Sequence, residues 1–191
     1  VGFCGDFYSN LSLLRLRALE APHFIHHIFC HILWRPLWIN YLNMFRGATS
    51  LSLDTKGRLA VPTKHREALQ LQCAGNLVLT AHPHRCLLLY PQPAWEPIQA
   101  KMMALSSFDK QSSALQRLLV GYAEDVSMDS AGRMLVSPVL RDFAGLDKEV
   151  MLVGQGSHFE LWNMEAWRAQ LAQVMQDNNF SMPSELEGFS L

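Results

Sequence analysis

The segment DTKGRLAVPTKHREAL at 54–69 returns as DSAGRMLVSPVLRDFAGL at 129–146, and this internal repeat constrains the fold more than any other feature of the chain. Asp54, Gly57, Arg58, Arg66 and Glu67 are matched by Asp129, Gly132, Arg133, Arg141 and Asp142 at a constant offset of 75. Five polar or glycine positions rarely keep one offset by chance, so one structural unit occurs twice. Downstream, CLLLYPQPAW (86–95) parallels FELWNMEAW (159–167), with Leu89, Tyr90 and Trp95 answering to Leu161, Trp162 and Trp167. The offset there is 72, so the second copy has the shorter loop.

Both copies give the same coarse reading. Alternation in Ser50-Leu51-Ser52-Leu53 predicts a half-buried strand, Asp54 to Gly57 a turn, and Leu59 and Val61 the apolar side of a return strand. Pro62 and Thr63 stop that strand and open a short helix through Leu71, the Pro-Thr pair supplying its N-cap. Strands at Leu77–Ala81 and Cys86–Tyr90 and a helix holding Trp95 complete the copy. The second copy repeats this with strands at 125–128 and 133–136 and a helix from Pro138 ended by Gly145. Strands at 150–153 and 159–162 and a helix from Glu165 to about Met175 follow. Between the copies, Leu115, Leu118, Leu119 and Tyr122 fall at helical spacing and predict a connecting helix with one side on the core. The fold class is therefore β-rich α+β.

The expected organisation is a first repeat at 44–95, connecting helices at 96–122, a second repeat at 123–167, and a C-terminal helix end with a mobile acidic tail at 168–191. Residues 1–43 read differently, crowded with aromatics and histidines and without a clean period. They are expected to be upstream sequence read through from a non-ATG start, with the functional protein beginning at Met44; the alternative is an apolar arm that packs on a partner. Three histidines, an arginine and a proline interrupt the apolar run 24–42, which argues against a membrane span. Four widely spaced cysteines, with no C-x-x-C pair, fit free thiols in the cytoplasm.

The chemistry centres on Asp-x-x-Gly-Arg. Its Asp can accept hydrogen bonds from turn N–H groups, its Gly permits positive φ, and its Arg can reach back to the Asp or outward. One such motif is adequately explained as a salt-bridged hairpin with no further role. Two copies with matched surroundings, and a local excess of cations, weaken that account. From Arg46 to Arg66 the chain holds Arg46, Lys56, Arg58, Lys64 and Arg66 against Asp54 alone, in a protein of formal net charge −1. Such clustering suits phosphate contact, because bound Lys and Arg release counterions condensed on a nucleic-acid backbone. From 124 to 160 the second copy carries three cations and seven carboxylates, so the first copy would supply most of the attraction.

Other chemistries are weaker. His82, His84 and Cys86 alternate, but Pro83 and Arg85 mark a loop entering a strand and no fourth ligand is evident. His23, His27 and His31 beside Cys30 have helical spacing but lie in the atypical leading segment. No metal or cofactor is expected. The chain lacks G-x-S-x-G, the P-loop and H-E-x-x-H, and Gly154-Gln155-Gly156 reads as a hairpin turn. Tyr90, Trp95, Trp162 and Trp167 recur at matched places and are assigned to the core or to subunit contact.

From Met44 onward, MFRGATSLSLDTKGRLAVPTKHREAL together with GYAEDVSMDSAGRMLVSPVLRDFAGLDKEVMLVGQGSHFELW closely resembles the MraZ family of bacterial regulators. The resemblance implies two tandem AbrB/SpoVT-type swapped-hairpin (double-split β-barrel) half-units with short helices. It also implies rings of several subunits, and binding to short direct repeats of double-stranded DNA in the promoter of the division and cell-wall gene cluster. Such a protein would be a cytoplasmic, nucleoid-associated repressor and not an enzyme. Carried over by motif, Arg58 would contact DNA, supported by Lys56, with Arg46 and Lys64 as further candidates from the charge argument and Arg133 from the second motif. Asp54, Gly57, Asp129 and Gly132 would organise the turns. Ala131 stands where the first copy has Lys56, which implies a lesser DNA role for the second copy. The competing class is an oligomeric scaffold whose basic turn meets an acidic partner, separable by a salt-dependent, sequence-selective gel shift.

Overall fold

The computed structural model describes residues 44–176, which form eight strands and five helices. The readings of 1–43 as an upstream extension, of His23, His27, His31 and Cys30 as a second histidine cluster, and of 177–191 as an acidic tail lie outside the described residues. No helix among the described residues is long and apolar enough to cross a membrane.

The first copy folds as β1 (Phe45–Ser52), β2 (Arg58–Ala60), α1 (Thr63–Cys73), β3 (Asn76–Ala81), β4 (Leu87–Pro91) and α2 (Gln92–Met103). Helix α3 (Lys110–Leu119) connects it to the second copy. That copy comprises β5 (Glu124–Ser127), β6 (Arg133–Leu135), α4 (Pro138–Ala144), β7 (Glu149–Gly156), β8 (Phe159–Asn163) and α5 (Met164–Gln176). Six strands make one antiparallel sheet in the order β1-β7-β8-β4-β3-β5, while β2 and β6 pair in a separate two-stranded ribbon. This order is symmetric under exchange of the copies. Each copy's first strand leaves its own hairpin and joins the other's: β1 lies on β7-β8, and β5 on β3-β4. β4 and β8 meet at the centre.

Interlocking follows from burial. Leu59 and Val61 are fully buried, as are their repeat partners Met134 and Val136, and all four belong to one apolar cluster with Phe45, Leu69, Leu140 and Phe159. Neither copy encloses that cluster alone. At about 1.5–3 kcal/mol for each fully buried large apolar side chain, the shared core ties the two halves into one cooperative unit. On the other sheet face, Tyr90 packs on Trp95 at 5.7 Å and Trp162 on Trp167 at 5.9 Å, so the matched aromatics are intramolecular packing.

Four local expectations change. Pro62, not Thr63, holds the N-cap position of α1, and no side chain caps it. Proline fixes φ but has no side-chain oxygen to offer. At the matched position of the second copy, Ser137 does accept from the Leu140 N–H at 3.4 Å. Helix α1 runs on to Cys73 and stops where Ala74 turns left-handed (φ 51°), its N–H returning to the Gln70 carbonyl. Helix α3 starts at Lys110, because Asp109 caps it through the Ser112 N–H at 2.7 Å, and ends at Leu119, with its leucines half-buried. The Gly154–Gly156 stretch belongs to β7, and the reversal itself is closed by the Gln155 N–H donating to the His158 carbonyl at 2.8 Å.

Candidate nucleic-acid interface

The two Asp-x-x-Gly-Arg turns have the same wiring. Asp54 Oδ1 accepts from the N–H groups of Lys56 (2.9 Å) and Arg58 (2.8 Å), and Oδ2 accepts from Arg58 Nε at 2.7 Å. Asp129 Oδ1 accepts from Ala131 (2.9 Å) and Arg133 (2.8 Å), and Oδ2 from Arg133 Nε at 2.9 Å. Both carboxyls are held below the ordinary Asp range, first by the arginine's backbone N–H, with the arginine side chain adding to it. In each turn the one carboxylate thus accepts two backbone N–H groups and the arginine Nε. In each turn the arginine side chain is held to its own Asp, with Arg58 Nε 2.7 Å from Asp54 Oδ2 and Arg133 Nη2 2.8 Å from Asp129 Oδ2.

Each turn is braced by the other copy. Val136 N–H donates to the Gly57 carbonyl and Val61 N–H to the Gly132 carbonyl, both at 2.9 Å. Gly57 (φ +77°) and Gly132 (φ +75°) have the left-handed backbone that glycine tolerates best. Each also receives an arginine from across the pseudo-two-fold axis. A Cβ on Gly57 would lie 2.9 Å from Arg141 Cζ, and one on Gly132 would lie 2.3 Å from Arg66 Nε. Arg66, matched by Arg141 in the repeat, falls within the cation-rich 46–66 run, but its Nε donates to the Val61 carbonyl at 2.7 Å and it packs over the opposite turn instead of facing outward.

The ribbon brings Arg58 and Arg133 together. Arg58 pairs with Leu135, Leu59 with Met134 and Ala60 with Arg133. Cross-strand partners share a face, so Leu59 and Met134 point into the core, while Arg58, Ala60, Arg133 and Leu135 face outward. The two arginines are diagonal neighbours on that face, about 7–8 Å apart and somewhat closer at Cβ by standard sheet geometry. Lys56 stands exposed in the first turn beside them.

Arg46 and Lys64 form a separate group. Lys64 Nζ lies over Gly47, 3.3 Å from where a Cβ would stand, next to exposed Arg46. Arg46 lies at the far end of β1 from Asp54, which at about 3.3 Å per residue is some 25 Å along the strand. The five candidate cations therefore make two clusters and not one patch. His82 and His84 meet edge to face at 4.8 Å. Cys86 is buried, its thiol pushed up to about 12, chiefly by desolvation. Among the described residues no group of three or more His, Cys, Asp or Glu side chains converges on a metal position.

Comparison with known proteins agrees with the duplication. The family model for the MraZ protein matches the chain twice, over residues 44–118 and 119–187. The chain is 78% identical over 148 residues to the protein named transcriptional regulator MraZ from Methylobacillus flagellatus, covering 78% of this chain and 100% of that one. Over the same length and coverage it is 60% identical to the protein of that name from Nitrosospira multiformis and 57% to that from Thiobacillus denitrificans. With both copies matched and these relatives aligned from end to end, the chain belongs to the MraZ family.

Proposed function

We propose that this protein is a sequence-specific DNA-binding transcriptional regulator, not an enzyme, and that the outer face of the β2-β6 ribbon is its reading surface. The observation that carries this is the emergence of Arg58 and Arg133 side by side on one exposed ribbon face, each oriented by its own Asp. A two-stranded ribbon fits the major groove, and an oriented guanidinium is the usual partner of guanine O6 and N7. The relatives' name, transcriptional regulator, supports the same reading.

Arg58 is the principal base contact and Lys56 a phosphate contact beside it. Arg133 is secondary, since Ala131 stands in its turn where the first copy has Lys56 and the second copy is rich in carboxylates. Arg46 and Lys64, at the other end of β1, would touch phosphates outside the central step. Asp54, Gly57, Asp129 and Gly132 hold the turns in place. In this proposal the exchanged first strands belong to AbrB/SpoVT-type swapped-hairpin half-units of a double-split barrel, with repeats at 44–95 and 123–167 joined by 96–122. Several chains would form a ring in the cytoplasm, at the nucleoid, and repress the division and cell-wall gene cluster by engaging short direct repeats together. Effective concentration then multiplies contacts that are individually weak.

The test is a gel-shift titration on the DNA upstream of the chain's own gene. Loss of a bidentate arginine costs about 1–3 kcal/mol per contact. Arg58→Ala should therefore weaken binding by at least about fivefold, Arg133→Ala should weaken it less, and wild-type affinity should fall steeply with added salt. Equal binding by wild type and Arg58→Ala would overturn the assignment.

A further inference from the structure

Where the copies differ on the ribbon's outer surface, they differ in one direction. Lys56 and Ala60, on the first copy's turn and ribbon strand, become Ala131 and Leu135 of the second at the same offset of 75, and away from the ribbon, at the starts of the two helices, Lys64 becomes Val139. Leu135 is 53% exposed and Val139 59% exposed. Leu135 sits directly across the ribbon from Arg58 and two residues along the strand from Arg133, on the face all three share. A large aliphatic side chain is thus held in water between two arginines, at a point where the fold asks only for a small residue, as Ala60 shows.

We propose that Leu135 is a specificity-determining residue that packs on the C5-methyl group of a thymine next to the guanine read by Arg58. The inference rests on the ribbon being the DNA-reading face. The major-groove edge of thymine presents an acceptor and that methyl, and an apolar side chain is the complementary contact. A cross-strand neighbour lies about 5 Å away at Cβ, close enough for the two side chains to meet adjacent base pairs, which stack 3.4 Å apart. A second protein copy is the weaker occupant. Covering Leu135 with protein would also bury the half-exposed Arg58–Asp54 and Arg133–Asp129 pairs, and desolvating ion pairs is costly unless new partners replace the water. A nucleic acid offers those arginines acceptors at the same moment.

The experiment uses the full chain and its footprinted upstream fragment, with each thymine of the protected box replaced singly by deoxyuridine. That change removes only the methyl. Anisotropy titrations are run for wild type, Leu135→Ala and Arg58→Ala, with molar mass by light scattering. Wild type should lose about three- to fivefold in affinity at one thymine beside a guanine, the value of one buried methyl. Leu135→Ala should lose the same factor on unmodified DNA and bind the thymine and uracil fragments equally, with its dependence on Arg58 and its molar mass unchanged. The inference is overturned if wild type ignores every deoxyuridine, or if Leu135→Ala keeps the discrimination. It is equally overturned if Leu135→Ala changes molar mass with discrimination intact, since the leucine then serves a contact between copies. Failure of Arg58→Ala to weaken binding would instead remove the ribbon as the reading face, a result separable from the other three.

Discussion

Gly57 and Gly132 test whether the two copies brace each other as described, because alanine at each position should cost more than its backbone conformation alone explains. A control exists in Gly145, which ends α4 at φ +57° and would have no atom within 4 Å of an added Cβ. Gly145→Ala should therefore cost only the left-handed backbone term, about 1–2 kcal/mol. Gly57→Ala adds a Cβ 3.1 Å from the Val136 carbonyl and 2.9 Å from Arg141, an arm that can swing away; the total should reach about 2–3 kcal/mol. Gly132→Ala is the severest, since Arg66 must leave and give up its 2.7 Å hydrogen bond to the Val61 carbonyl. A hydrogen bond from a charged donor is worth about 1.5–3 kcal/mol, which brings the total to about 3–4 kcal/mol. Urea unfolding of the full chain reads all three, and the order should be Gly145, Gly57, Gly132. Arg66→Ala together with Gly132→Ala removes the clash, so the double variant should be at least 1 kcal/mol better than the sum of the single losses. Gly132→Ala within about 0.5 kcal/mol of Gly145→Ala, or strict additivity in the double variant, would refute the crossing-arginine argument.

Two further outcomes follow from local geometry. Ala74 ends α1 in the left-handed region, where the second copy's helix uses Gly145, so Ala74→Gly should stabilise the protein by about 1–2 kcal/mol in the same urea assay, and a loss would contradict it. His65 is 9% exposed between the rings of Phe45 and Phe159, and burial first, then the charge of Lys64, lowers its pKa below the ordinary histidine value. The unfolded chain then binds the proton more tightly. The stability His65 contributes is present above about pH 6.5 and is lost as pH falls through the lower folded value, with a slope of at most about 1.4 kcal/mol per unit. His65→Leu, the residue type found at matched Leu140, should gain on wild type between pH 7.5 and pH 5. His65→Leu should keep a residual slope from His82 and His158, whose values are also lowered by burial. Parallel urea midpoints for the two proteins across that range would rule this out.

Elements that depend on neighbours in sequence were legible, and contacts that depend on topology were not. Alternation around Leu51 and Leu53, the turn at Asp54 and the helix opened after Pro62 all appear where periodicity and turn chemistry put them, within a few residues. Local pattern carries no information on which hairpin a first strand joins, so the placement of β1 on β7 and the stacking of Arg66 over Gly132 lay beyond it. The charge count failed for the same reason. It placed five cations together because they are close in sequence, whereas the fold turns Arg66 inward and sets Arg46 at the far end of β1 from the turn. The repeat itself has to be read in two ways. Its identities, Asp54 with Asp129, Gly57 with Gly132 and Arg66 with Arg141, are all accounted for by turn closure and by the reciprocal bracing of two interlocked halves. Identity between copies is therefore evidence of internal symmetry, and would persist in a protein that bound nothing. A symmetric fold makes no demand that Lys56 face solvent in one copy and Ala131 in the other, or that Ala60 be answered by an exposed Leu135. Those differences lie on the surface that the ribbon presents, so the positions where the copies diverge are the ones that point to a ligand without the same symmetry.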